Sequence, residues 1–187
     1  MDKTNIKVKY ITRTALLLAL TIIFQMLGRN IKLGPNSNFI VGPLVNACLL
    51  IATSAVGLQG GCIVSIFSPF GAIITGASMP LPFIPFIAAG NLLLVLCFYF
   101  ATKNMAFKPF LKKAGPYVGI LAGSVLKFIF LYVSILIFLS FYAVPSKQGE
   151  TMLFIFSWPQ LVTALTGGAI ALVVINVLKK NKIIQTE

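Results

Sequence analysis

The sequence predicts an all-α integral membrane protein, a compact bundle of six transmembrane helices with both termini cytoplasmic. Three observations carry that prediction. Of 187 residues, 58% are hydrophobic and only 10% charged, whereas a water-soluble domain carries about 25% charged residues, so the apolar excess must face something other than water. Runs of mostly apolar residues recur along the whole chain, each long enough, at about 18 residues or more, to cross a hydrocarbon core of about 30 Å as a helix. The positive charges gather at the ends of those runs.

Taken in order between polar or Gly/Pro breaks, the runs place helices at about 10–28, 40–57, 62–77, 84–102, 116–143 and 151–178, within one membrane domain, 1–187. The first follows Lys3, Lys7 and Lys9 and has the look of a secretion signal, but no small-x-small cleavage pattern comes after Gln25-Met26-Leu27-Gly28, so it is expected to stay in the mature protein. The second is set off by the polar, turn-forming stretch Leu33-Gly34-Pro35-Asn36-Ser37-Asn38. The third is short and rich in breakers, Ser68-Pro69-Phe70-Gly71, and Met79-Pro80-Leu81-Pro82-Phe83-Ile84-Pro85 follows before the fourth. Irregular backbone at membrane depth survives only where protein or a water-filled cavity covers it, so the outer ends of helices 1 to 4 are expected to frame a pocket. Gly115, Gly119 and Gly123 on the fifth helix, and Gly167, Gly168 and Ala171 on the sixth, read as internal packing faces, because small residues let helices approach closely in lipid.

Orientation follows from Lys and Arg. Lys3, Lys7, Lys9, Arg13, Lys103, Lys108, Lys112, Lys113, Lys179, Lys180 and Lys182 fall on one side, against Arg29, Lys32 and Lys147 on the other. The positive-inside rule then puts both termini in the cytoplasm, in agreement with an even helix count. The net charge of +12 is thus a matter of topology, and no nucleic-acid partner is expected.

Composition excludes much chemistry. The chain has no histidine, and its three carboxylates, Asp2, Glu150 and Glu187, all lie outside the apolar runs. Proton-coupled carriers, intramembrane proteases and metal transporters need acids, histidines or thiolates within the membrane, so no catalytic residue, metal ligand, cofactor or enzymatic activity is expected. Cys48, Cys62 and Cys97 sit singly in apolar surroundings, as small buried side chains do.

Lys127 is the most informative residue. It lies about 16 Å along the fifth helix from Pro116, close to mid-membrane, where a lysine costs about 2.5 to 3.5 kcal/mol. With no acid in the membrane to neutralise it, it either bonds carbonyls and water or meets an anionic group on a ligand. Gln25, Asn46, Asn91 and Gln160 are uncharged polar residues inside helices, each needing partners where water is absent. Interhelical bonding accounts for such amides, while Asn91 and Gln160 stand beside Gly90 and Pro159, which open the local backbone. The substrate-binding candidates are therefore Lys127, Asn91 and Gln160, with Asn38 and Met79 from the outer loops and Trp158 as a stacking surface. Residues 78–82 are expected to cover them.

Six short helices with both ends inside, Ala15 and Ala19 one turn apart on the first helix, and Gly42-Pro43-Leu44-Val45-Asn46 opening the second together resemble a substrate-binding S component of an energy-coupling factor (ECF) vitamin transporter. Phe83-Ile84-Pro85-Phe86-Ile87-Ala88-Ala89-Gly90-Asn91 is similar to the start of the fourth helix in that family. The resemblance spans essentially the whole chain. It implies a multi-pass protein of the cell membrane, in a bacterial plasma membrane, that captures a vitamin or related micronutrient from outside and delivers it by toppling. It further implies a partner module of two ATPases and a transmembrane coupling subunit, docked on Ala15 and Ala19. The chain has no Gly-rich phosphate loop of its own, which agrees with a need for such a partner. The N-terminal histidine that the family's nickel and cobalt members use as a ligand is absent here. Lys127, Arg29 and Lys32 suit an anionic compound such as pantothenate, lipoate or a folate, with riboflavin and cobalamin open. The alternative reading is a small facilitator or a membrane subunit of another complex.

Overall fold

A computed structural model describes residues 3–30, 34–74, 80–106 and 113–184. The described residues form seven α-helices: α1 Lys3–Asn30, α2 Asn38–Val56, α3 Leu58–Ile74, α4 Ile84–Ala106, α5 Gly115–Phe141, α6 Ser146–Ile155 and α7 Trp158–Lys180, with short 3-10 turns at Gly34–Ser37 and Leu81–Phe83. Among the described residues, five stretches are long and apolar enough to cross a membrane: Lys7–Gly28, Asn38–Val56, Leu81–Met105, Gly115–Phe141 and Ser146–Lys180. The sixth apolar segment, within α3, is shorter. At 17 residues α3 spans about 26 Å, and it runs past Pro69 to Ile74 where the sequence marks breakers.

Several boundaries differ from the sequence reading by a few residues, among them the start of α1 at Lys3 and of α3 at Leu58, and two have a clear physical reason. The expected last helix, 151–178, is two helices, with α6 starting earlier at Ser146 and a break at Phe156 and Ser157 before α7. Pro159 has no N–H to donate into a preceding turn and disfavours helical backbone just before it. Ser157 stabilises the break by donating its hydroxyl to the Phe154 carbonyl at 2.7 Å. At the other boundary, α2 and α3 are joined by Gly57 alone, whose φ of 94° lies in the region that favours glycine.

Packing centres on α2, α4, α5 and α7. Ala47, Leu50, Leu94, Phe98, Ile120, Ala164, Ala171 and Ile175 form the core towards one end, and Phe83, Leu131, Ile135, Phe138, Met152 and Phe156 form it towards the other. A third cluster, Leu49, Ala52, Val64 and Val95, joins α2, α3 and α4. The small residues marked in α5 and α7 are buried at these contacts. By contrast α1 is the least buried span. Its Ile11, Leu16 and Ile23 are at least half exposed, as expected of a helix facing lipid or a partner.

Candidate functional site

The only lysine within a predicted membrane run is held by side-chain amides. Lys127 is 3% exposed, and its Nζ donates to Asn46 Oδ1 on α2 at 2.6 Å and to Asn91 Oδ1 on α4 at 2.7 Å. The Asn91 amide nitrogen donates in turn to Ser68 Oγ on α3 at 3.4 Å. Four helices therefore meet at one polar node in an otherwise apolar bundle. A lysine ammonium has three donors, two of which are taken here by neutral oxygens; the third has no hydrogen-bond partner among the described residues. Amide oxygens solvate the charge without cancelling it, so the node keeps a claim on an anion.

Buried hydroxyls add to that unspent capacity. Most helical Ser and Thr hydroxyls with assigned bonds donate back to the carbonyl one turn earlier, as Thr14, Thr21, Thr53, Ser140, Thr151 and Thr166 do. Ser124 and Ser65 are fully buried yet have no partner in the described structure. Ser124 stands one turn before Lys127 on α5, and Ser65 one turn before Ser68 on α3, so both flank the node.

The structure divides the sequence-predicted residues into groups. Lys127 and Asn91 are brought into contact. Gln160 is buried at the α6–α7 break, where its Nε2 donates to the Ile155 carbonyl at 3.2 Å, and Trp158 beside it is 53% exposed. Asn38 opens α2; its Nδ2 is buried without a partner among the described residues, while the next residue, Phe39, packs on Trp158 at 5.5 Å between ring centroids. That corner lies about 12 Å along α2 from Asn46. Met79, and residues 78–79 of the expected cover, lie outside the described residues. Ala15 and Ala19 are both exposed on α1.

Two residues of the node were not among the sequence candidates. Asn46 read as an interhelical bond, and Ser68 read only as part of a breaker. The signal for Asn46 was its burial in the apolar run opened by Gly42 and Pro43; Ser68 carried none beyond its place at mid-run.

A separate hollow of about 430 Å³ lies among Pro80, Pro82, Phe138, Tyr142, Val144 and Gln148. Phe138 and Tyr142 stack there at 4.4 Å and 14°. Phe138 is about 16 Å along α5 from Lys127, so this hollow and the node are distinct places on one helix.

No curated protein and no solved structure matches the chain. The family model described as ECF transporter, substrate-specific component, matches residues 9–178, a span that takes in α2 to α6 entire, most of α1 and α7, and the whole of the polar node. By that match the chain belongs to the substrate-specific components of the ECF transporters, multi-pass membrane subunits that take a small-molecule substrate and work with an ECF module, and that are transport subunits rather than enzymes.

Proposed function

We propose that this substrate-specific component captures a water-soluble, anionic micronutrient, of the class of pantothenate, lipoate or a folate, from the outer side of a bacterial plasma membrane, with both its termini cytoplasmic. The observation that carries the reading is Lys127: a nearly buried ammonium with two neutral acceptors, at 2.6 and 2.7 Å, and one donor left over. A ligand carboxylate at that donor makes a charge-assisted hydrogen bond in a low-dielectric setting, and offsets the cost of keeping a lysine in the membrane. Asn91 and Asn46 then act by aiming the ammonium. Asn38, Gln160 and Trp158 serve as a second, rim-like contact, with Met79 in the cover. Ala15 and Ala19 supply the docking face for the coupling subunit of a module that also holds two ATPases, since two small exposed side chains allow close helix approach.

Native mass spectrometry of the protein purified from cells grown in rich medium tests this reading. One small molecule per chain, identified on release as an organic acid, is expected. A bound molecule without an acidic group would overturn the anionic assignment.

A further inference from the structure

We infer that Gln25 is a positioning residue that ties the docking helix α1 to the Lys127 node, so that a change at Lys127 alters how α1 is presented to the ECF module. The inference rests on the docking role proposed for Ala15 and Ala19. Gln25 lies on α1 about 9 Å along the axis from Ala19, and its Nε2 donates to the Ser68 backbone carbonyl at 3.1 Å. Ser68 is the residue whose hydroxyl accepts from Asn91, and Asn91 accepts from Lys127. A continuous chain of hydrogen bonds therefore runs from α1 through α3 and α4 to α5, and from Lys127 on to α2.

Its middle link sits on a weak point of the fold. Ser68 immediately precedes Pro69, inside α3, and a proline there removes one helical hydrogen bond and clashes with the preceding turn. Gly71 follows, and the Gln25 amide lies directly over it: a Cβ at 71 would stand 2.9 Å from Gln25 Oε1 and 2.7 Å from an Ile22 side-chain carbon. The Ser68–Gly71 turn is thus gripped from one side by Gln25 and from the other by Asn91. A helix with an internal proline two residues before a glycine is the part of this path able to adopt two bends, which gives the coupling a physical element rather than proximity alone.

A double-mutant cycle on docking affinity tests the inference without any micronutrient. The probe is the purified ECF module, titrated against labelled protein in lipid nanodiscs for wild type, Lys127→Met, Gln25→Leu and the double variant. We expect Lys127→Met to change module affinity at least fivefold in the wild-type background and less than twofold when Gln25 is already Leu. Gly71→Ala, which displaces the Gln25 amide sterically, is expected to behave as Gln25→Leu does, and melting curves verify that each variant is folded. Changes that simply add across the cycle, or a Lys127→Met variant that docks as wild type does, overturn the coupling. Because no micronutrient is present, that outcome is separate from failure of the anionic-ligand reading; normal docking by Ala15→Trp/Ala19→Trp in the same titration identifies failure of the docking role itself.

Discussion

Gly167→Ala adds one methyl group where α7 crosses α2, next to the polar node but outside it. A Cβ at this position would come within 2.6 Å of the Pro43 carbonyl oxygen and 2.7 Å of Asn46 Cβ, whereas non-bonded atoms settle at about 3.5 Å. The nearest obstacle is backbone, so no rotamer change relieves it, and the two helices must move apart by roughly 0.9 Å. Overpacking of this kind costs about 1–3 kcal/mol. Asn46 is carried along, and whatever part of the shift is directed away from Lys127 lengthens a hydrogen bond that starts at 2.6 Å, towards the limit of the useful N–H···O range. The melting temperature of the purified variant should therefore fall, at about 2–4 °C per kcal/mol for a chain of this size, and micronutrient affinity should fall with it. Gly149→Ala, inside α6, is the control, because its Cβ would meet only Leu139 Cδ2 at 3.6 Å, an ordinary contact; with alanine favoured over glycine in a helix by about 0.5–1 kcal/mol, it should melt no lower than wild type. Equal melting of Gly167→Ala and wild type would refute the claim that α2 and α7 are in backbone contact at the node.

Lys127→Met leaves the Asn46 and Asn91 oxygens without their donor, at a cost of about 1–3 kcal/mol for each buried unsatisfied group; combining it with Asn46→Leu and Asn91→Leu should recover most of the lost melting temperature, and a triple variant no more stable than the single one would contradict this. Ala15→Trp with Ala19→Trp should stop uptake while leaving binding by the solubilised protein intact, whereas equal loss of both would assign those alanines to internal packing. In intact cells, a single cysteine at 147 should react with an impermeant thiol reagent while cysteines at 5 and 183 do not, and the reverse pattern would invert the proposed topology.

The bundle was legible in the sequence because apolar length and charge placement act residue by residue and need no knowledge of neighbours. The small residues of α5 and α7 were legible as packing faces for the same reason: size alone permits close approach in lipid. The break between α6 and α7 was not, since an apolar run reads as continuous unless the effect of Pro159 on the preceding residues is set against it. The partners of Lys127 were open in a different way. The sequence marks a mid-membrane lysine without an acid, but which oxygens reach it depends on the rotation of α2 and α4 about their axes, which places Asn46 and Asn91 on the same interior point. Gln160 illustrates the converse. Its neighbour Pro159 marked an opened backbone, and the glutamine fills that opening itself by bonding the Ile155 carbonyl.

The central claim is that Lys127 anchors an anionic micronutrient, and calorimetric titration of the compound identified by mass spectrometry into wild type and Lys127→Met tests it most directly. The account predicts one-to-one binding by the wild-type protein without the ECF module, and a loss of at least tenfold in affinity in the folded variant, equivalent to about 1.4 kcal/mol. An unchanged dissociation constant in Lys127→Met would contradict it, and would leave the lysine as a cross-link among α2, α4 and α5 with no part in recognising the substrate.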